Sequence, residues 1–121
     1  MKKLSQQQKR AKLRKKCDRF LQEIGRKIYK DCYVCGRPMS VLHHFVTKGR
    51  SNRLRYDWDN LIPLCNHCHC LHHQFSDSTI HAIIQSKKGD KWVKDLILKK
   101  GEYVNISLKY YENIIENLQK L

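Results

Sequence analysis

The sequence lacks any apolar run approaching the roughly 20 residues a membrane-spanning helix needs, and no apolar signal-type segment follows its N-terminal lysines. Spanning, membrane attachment and export are therefore not expected. The expected location is the cytoplasm, or that of a host if the chain is phage-encoded. Acidic side chains are scarce as well, with 11 Asp+Glu against 25 Lys+Arg in 121 residues, a formal net charge of +14. That balance excludes an acidic-protein role and makes an intracellular polyanion the natural partner. There is no internal repeat and no low-complexity linker, and the length suits one domain.

The charge that is present is uneven. Residues 1–30 carry 12 basic and 2 acidic side chains, residues 31–75 carry 5 and 3, and residues 76–121 carry 8 and 6. Three segments follow: a basic helical arm (1–30), a central core (31–76) and a C-terminal helical extension packing on that core (77–121). In the arm, Leu13, Cys17, Phe20, Leu21, Ile24 and Ile28 recur at helical spacing, which predicts an amphipathic helix over 5–30 with a frayed start through residue 8. Cys17 on this stripe reads as a small buried hydrophobe. Lys9, Arg10, Lys12, Arg14, Lys15 and Lys16 are its candidate contacts to the phosphates of a nucleic acid.

Six cysteines in a short chain suggest a disulfide scaffold, but the spacing argues against one. Cys32/Cys35 and Cys65/Cys68 are two Cys-x2-Cys pairs. A two-residue gap lets both thiolates turn onto one ion, and Zn²⁺ takes four such ligands in a tetrahedron. A structural zinc held by these four is expected, with disulfides or a redox pair as the alternative. Gly36 supplies the backbone freedom that the first knuckle needs. A knuckle-and-loop core of this size cannot fold on apolar burial alone, so the metal would contribute to folding. Four thiolates and one Zn²⁺ lower the effective charge to about +12. Cys70 is given no role.

Hydrophobic patterning predicts a strand around Val41–Val46, an extended piece at Asn60–Leu64, and a helix from near Cys65 to about Phe75. Beyond these, Ser78 is expected to cap a helix carrying Ile80, Ile83 and Ile84 that ends at Gly89. Asp90 is expected to cap another, with Trp92, Val93, Leu96 and Ile97 on one face and Gly101 at its end. A last helix starts near Asn105 or Ser107 and presents Leu108, Tyr111, Ile114, Ile115 and Leu118. These apolar faces read as core.

Six of the seven histidines fall within residues 43–73. On a strand, His43 and His44 point to opposite sides, while on a helix His69 and His73, four apart, share a face that can chelate a metal. Phosphodiester hydrolysis asks for this combination. A divalent ion binds the scissile phosphate and stabilises the departing oxyanion, and a base of suitable pKa activates water. His44 as base, with His43, His69 and His73 as ligands, meets both needs. His72, on another face, reads as a phosphate contact or a solvated residue. His67 reads as exposed, and His81 as lying outside the cluster.

The stretch Leu42-His43-His44-Phe45, then Asn60-Leu61-Ile62-Pro63-Leu64-Cys65-Asn66-His67-Cys68-His69, and on to His73, resembles the HNH endonucleases of the His-Me (ββα-metal) finger superfamily. The resemblance implies a small zinc-stabilised ββα-metal core; with the basic N-terminal helix and the C-terminal helices read from the patterning, the expected fold is α+β and mostly helical. It implies that His43, His69 and His73 bind the catalytic ion and that His44 is the general base. Asn60 would tie the loop between the strands so that the base is oriented. Cys32, Cys35, Cys65 and Cys68 would hold the non-catalytic zinc. Many relatives carry Asp where His43 stands, so Zn²⁺ or Ni²⁺ could compete here with Mg²⁺ or Mn²⁺ as the catalytic ion. In layout, the chain is also similar to phage recombination nucleases of the NinG/Rap type, which implies branched or displaced-strand DNA as substrate; a homodimer, which paired cuts would favour, or a recombination protein is the partner to expect.

The loop from Lys48 to Arg55 adds Lys48, Arg50, Arg53 and Arg55 as DNA-phosphate contacts beside the strand. Trp58 is expected to pack against the zinc unit. The expected function is metal-dependent DNA cleavage. The alternatives are a non-catalytic zinc-bound nucleic-acid module, or an RNA-binding zinc protein of the ribosome or transcription machinery, and the last leaves the clustered histidines idle.

Overall fold

The computed structural model describes residues 3–74 and 78–121. Among these it has five helices and one two-stranded antiparallel sheet, the mixed, mostly helical architecture expected. In chain order they are α1 (Gln6–Ile28), β1 (Val41–His44), β2 (Leu61–Leu64), α2 (Asn66–Gln74), α3 (Thr79–Lys88), α4 (Asp90–Lys100) and α5 (Leu108–Gln119), with a single 3-10 turn at Trp58–Asn60 before β2. The chain divides into two compact units: Gly25–Val104, and the residues up to Ile24 together with Asn105–Leu121.

In the smaller unit, Cys17 and Leu21 of α1 and Tyr111 and Leu118 of α5 are buried, and the Cys17 thiol donates to the Tyr111 carbonyl at 3.5 Å. The frayed start is not observed over the described residues. Ser5 and Gln8 form a reciprocal capping box, Ser5 N–H to Gln8 Oε1 at 2.8 Å and Gln8 N–H to Ser5 Oγ at 3.1 Å. These bonds satisfy amides that a helix start otherwise leaves open. At the other end of the chain, Ser107 caps α5 through the Tyr110 amide.

In the larger unit, β1 pairs with β2 in the register Val41↔Leu64, Leu42↔Pro63, His43↔Ile62 and His44↔Leu61. Both are edge strands, so Pro63 is tolerated, and its carbonyl accepts from the Tyr33 amide of the knuckle at 2.8 Å. β1 is shorter than the expected 41–46. After Phe45 N–H bonds the Asn60 carbonyl, the Asn60 side chain takes over both backbone groups of Val46 and the ladder stops. The expected end of α2 at Phe75 lies outside the described residues.

Two caps differ from expectation. Ser78 is in helical conformation and makes no side-chain cap bond, and Asp90 lies inside α4 with Gly89 before it. The connection from α3 to α4 is Gly89 alone, at φ 91°, a conformation that favours glycine and leaves no room for a separate capping residue. Asp90 instead places a negative charge in the first turn of α4, where the helix dipole favours it.

The core of this unit joins Ile62 and Leu64 of β2, Ile80 and Ile84 of α3, and Cys32, Cys65 and Cys68. Trp92, rather than Trp58, packs against it, while the Trp58 ring lies 6.4 Å from Tyr29. On α4, Leu96 is buried but Ile97 is 63% exposed, so its expected apolar face is narrower than the pattern indicates.

Gly25 is buried in α1, and a Cβ there would overlap the side chain of Leu42, the buried residue before His43. Alanine in a helix interior normally stabilises by about 0.5–1 kcal/mol relative to glycine. Here overpacking, at roughly 1–3 kcal/mol, wins. Gly25→Ala is expected to lower the melting temperature in a thermal scan; a raised one would show that Leu42 relaxes freely.

Candidate active site

Four cysteines converge where the knuckle meets the start of α2. Gly36, at φ 78°, turns the chain so that its amide donates to the Cys32 carbonyl at 3.0 Å, while Cys32 N–H reaches the Arg37 carbonyl at 2.6 Å. Cys65 lies between β2 and α2, and Cys68 is in the first turn of α2, its amide donating to Cys65 Sγ at 3.4 Å. All four sulfurs lie within 4.8 Å of one another, and Cys35 and Cys65 approach to 3.6 Å. A tetrahedral Zn²⁺ at its usual bond length sets sulfurs about 3.8 Å apart, so the free thiols already stand at ligand spacing.

Burial works against ionisation of Cys32, but amide hydrogen bonds from Cys35, Cys65 and Val34 bring its thiol down to about 7. Burial and the neighbouring sulfurs push the Cys68 thiol up, as expected of thiolates crowded together without a cation among them. The four residues are positioned to bind a metal, and an all-thiolate donor set suits Zn²⁺.

The second cluster is built on β1, whose alternation sends His43 and His44 to opposite sides. His43 is 2% exposed, and the rings of His69, His72, His73 and His81 all stand 5.1–5.4 Å from its own. Two sets of three bring their ligand atoms within 4.8 Å of one another: His43, His69 and His73, and His43, His72 and His81.

Two residues are therefore not where the sequence put them. His72 faces the cluster, because positions 69, 72 and 73 form one continuous arc of a helix. His81 joins the cluster from α3. Its Nε2 lies 3.0 Å from His43 Nε2, and its ring stacks on Phe45 at 4.3 Å and on His72 at 4.1 Å. The signal for His81 was its place three residues before buried Ile84, on the inward stripe of α3. Burial, reinforced by neighbouring imidazoles, pushes His43 down to about 2 and His81 to about 4, and lowers His69 and His73. The rings are held neutral, the state in which imidazole binds a metal. His67 is exposed.

On the other side of β1, His44 Nε2 lies 2.8 Å from the Arg55 carbonyl. A carbonyl only accepts, so Nε2 carries a proton, and in the neutral ring it is Nδ1 that holds the lone pair. The loop bearing Arg55 is pinned by Asn60, which is fully buried. Its Oδ1 accepts from Val46 N–H at 2.7 Å, and its Nδ2 donates to the Val46 and Leu54 carbonyls at 2.9 and 3.2 Å. Buried Ser51 adds a bond to the Lys100 carbonyl at 3.1 Å.

Among the loop cations, Lys48 and Arg50 are exposed, and the Arg55 guanidinium lies 5.9 Å over the Tyr56 ring. Arg53, expected to face phosphate, instead binds Asp57 through Nη1 at 2.8 Å and Glu102 through Nε at 2.9 Å. Lys99 bridges Asp57 and Asp59 at 3.3 and 3.0 Å. Burial opposes ionisation of Asp57, but the Asp59 amide, Arg53 and Lys99 hold its carboxyl below the usual range. These acids neutralise Arg53 and fix the base of the loop. In the smaller unit, Lys9, Lys12, Arg14, Lys15 and Lys16 are exposed along α1, and Arg10 is half-buried.

Residues 32–75 match the family model of the HNH endonucleases. The matched stretch, under half of the chain, spans the knuckle, both strands and α2, and supports a nuclease-type, metal- and nucleic-acid-binding reading of that region. No curated protein and no solved structure matches the chain. Among the described residues, no helix is long and apolar enough to cross a membrane.

If the four thiolates hold zinc, the binding free energy is folding free energy for this unit, on the order of 10 kcal/mol. Cys65→Ser is expected to lose the zinc found by metal analysis and the cooperative thermal transition of the larger unit. An unchanged transition in the metal-free variant would show that apolar packing suffices.

Proposed function

We propose that the protein is a metal-dependent DNA endonuclease that hydrolyses phosphodiester bonds with His44 as general base. The carrying observation is the division of labour across β1: His43 sits within the imidazole cluster, while His44 is turned away with Nε2 on the Arg55 carbonyl. His43, His69 and His73 would hold the catalytic ion, and their neutral, closely set ring nitrogens suit one. That ion would supply positive charge to the scissile phosphate and the departing oxygen, with Mg²⁺ or Mn²⁺ the expected metals and Ni²⁺ or Zn²⁺ favoured more than at a carboxylate-bearing site.

The steps at the protein's own residues follow from the tautomer. His44 Nδ1 takes a proton from water, and the water oxygen forms a bond to phosphorus as the opposite ester P–O bond breaks. The leaving oxygen then takes a proton from solvent. Asn60 acts as a positioning residue. It clamps Val46 and Leu54, so the Arg55 carbonyl stays on His44 Nε2–H and the ring keeps its orientation.

Lys48, Arg50 and Arg55, with Lys9, Arg10, Lys12, Arg14, Lys15 and Lys16 of the arm, supply phosphate contacts without base reading. The arm (1–30) thus holds DNA, the core (31–76) cuts it, and α3 and α4 of the C-terminal segment support the core through Ile80, Ile84 and Trp92. Branched or displaced-strand DNA is the proposed substrate class, with a homodimer making paired cuts.

His44→Ala is expected to reduce cleavage by about 10²–10⁴-fold with fold and DNA binding retained, read by gel assay on duplex, nicked and branched DNA across divalent metals. Undiminished cleavage would sink the mechanism. No cleavage by the wild type on any of these substrates would leave a non-catalytic zinc-bound nucleic-acid module. Lys48→Ala is expected to lower the salt dependence of DNA affinity by about one unit of slope, whereas Arg53→Ala lowers stability and leaves the slope unchanged.

A further inference from the structure

The nuclease reading uses three of the five imidazoles that crowd the inner side of β1. His72 and His81 remain, and with His43 they make a second complete donor set, all three ligand atoms within 4.8 Å of one another. His81 comes from α3, beyond the stretch that matches the nuclease family. Its Nε2 lies 3.0 Å from His43 Nε2, against about 3.3 Å between nitrogens on a tetrahedral Zn²⁺. Phe45 and His72 sandwich the His81 ring by stacking, which fixes its direction without using a nitrogen.

We propose that His43, His72 and His81 form a second metal position that takes a transition-metal dication such as Zn²⁺, and that filling it inhibits the enzyme by drawing His43 away from the triad with His69 and His73. Three neutral imidazoles with no carboxylate select Zn²⁺, Ni²⁺, Co²⁺ or Cu²⁺ over Mg²⁺ and Mn²⁺. Each set takes one nitrogen of His43; the proposed competition requires that it be the same nitrogen, so that only one position is complete at a time. An ion held by His72 and His81 also ties α2 to α3 across β1 and holds His43 toward α3. Binding stands on this geometry alone; the inhibitory consequence rests on the nuclease reading.

The test uses the full chain with zinc in its cysteine site, titrated with Co²⁺, whose visible bands report imidazole ligation. In the double variant His69→Ala/His73→Ala, one Co²⁺ is expected to bind with the bands of a tetrahedral nitrogen-oxygen site. Adding either His81→Ala or His72→Ala should abolish those bands. Zinc content and far-ultraviolet circular dichroism verify that each variant is folded, and either third substitution, if folded, decides the matter. A double variant that binds no Co²⁺, or a folded triple variant that keeps the bands, overturns the site. Two Co²⁺ ions held at once in the wild-type histidine cluster overturn the competition for His43.

In a Mn²⁺-dependent cleavage assay, added Zn²⁺ should inhibit the wild type, and His81→Ala should lose that inhibition while keeping its Mn²⁺ activity. Equal inhibition of both overturns the inhibitory role. Absence of cleavage in the wild type counts against the nuclease reading, and the Co²⁺ titration still decides the site.

Discussion

Everything in the central unit depends on a strand of four residues keeping its register. A two-stranded sheet is marginal on its own, and a slip by one residue would exchange the sides to which His43 and His44 point. The two histidines would then trade places between the imidazole cluster and the Arg55 carbonyl. Register is held by devices outside the ladder: the four-cysteine cluster at the far end of β2, the Pro63 carbonyl on the knuckle amide, and the Asn60 clamp where β1 gives way to the loop. Each is local, and none needs a large apolar core.

The same economy explains the polar character of so buried a site. His43, Ser51 and Asn60 are the buried polar residues of the described chain, and each has a hydrogen-bond partner. An unpartnered polar group in that position would cost on the order of 1–3 kcal/mol. In Asn60 the bonds that offset this cost also hold the loop. The acid–base network around Asp57 does a comparable task at the loop's exit, and it pairs Arg53 with Asp57 and Glu102.

Much of the site was legible in the sequence because its chemistry is local. Two-residue cysteine gaps, adjacent histidines on a strand and histidines four apart on a helix each state their geometry by spacing alone. What spacing could not convey came from packing and competition. His81 belongs to another helix, and only the docking of Ile80 and Ile84 into the core brings it to His43. Arg53 looks like its neighbours in a basic loop, but Asp57 and Glu102, the latter far along the chain, claim it. Trp92 packs on the core as the apolar face of α4 implies, while Trp58, expected against the zinc unit, sits in the 3-10 turn near Tyr29. The Ser5–Gln8 capping box, by contrast, was readable in the sequence as a Ser-x-x-Gln pattern.

In the proposed mechanism His44 is the base that activates water, held for that task by the Arg55 carbonyl. Chemical rescue tests it most directly: single-turnover cleavage by His44→Ala, measured with increasing free imidazole. Imidazole is expected to restore cleavage to this variant in a saturable way and to leave the wild-type rate unchanged. A variant that cleaves undiminished without imidazole, or one that folds and binds DNA but gains nothing from it, would contradict the account.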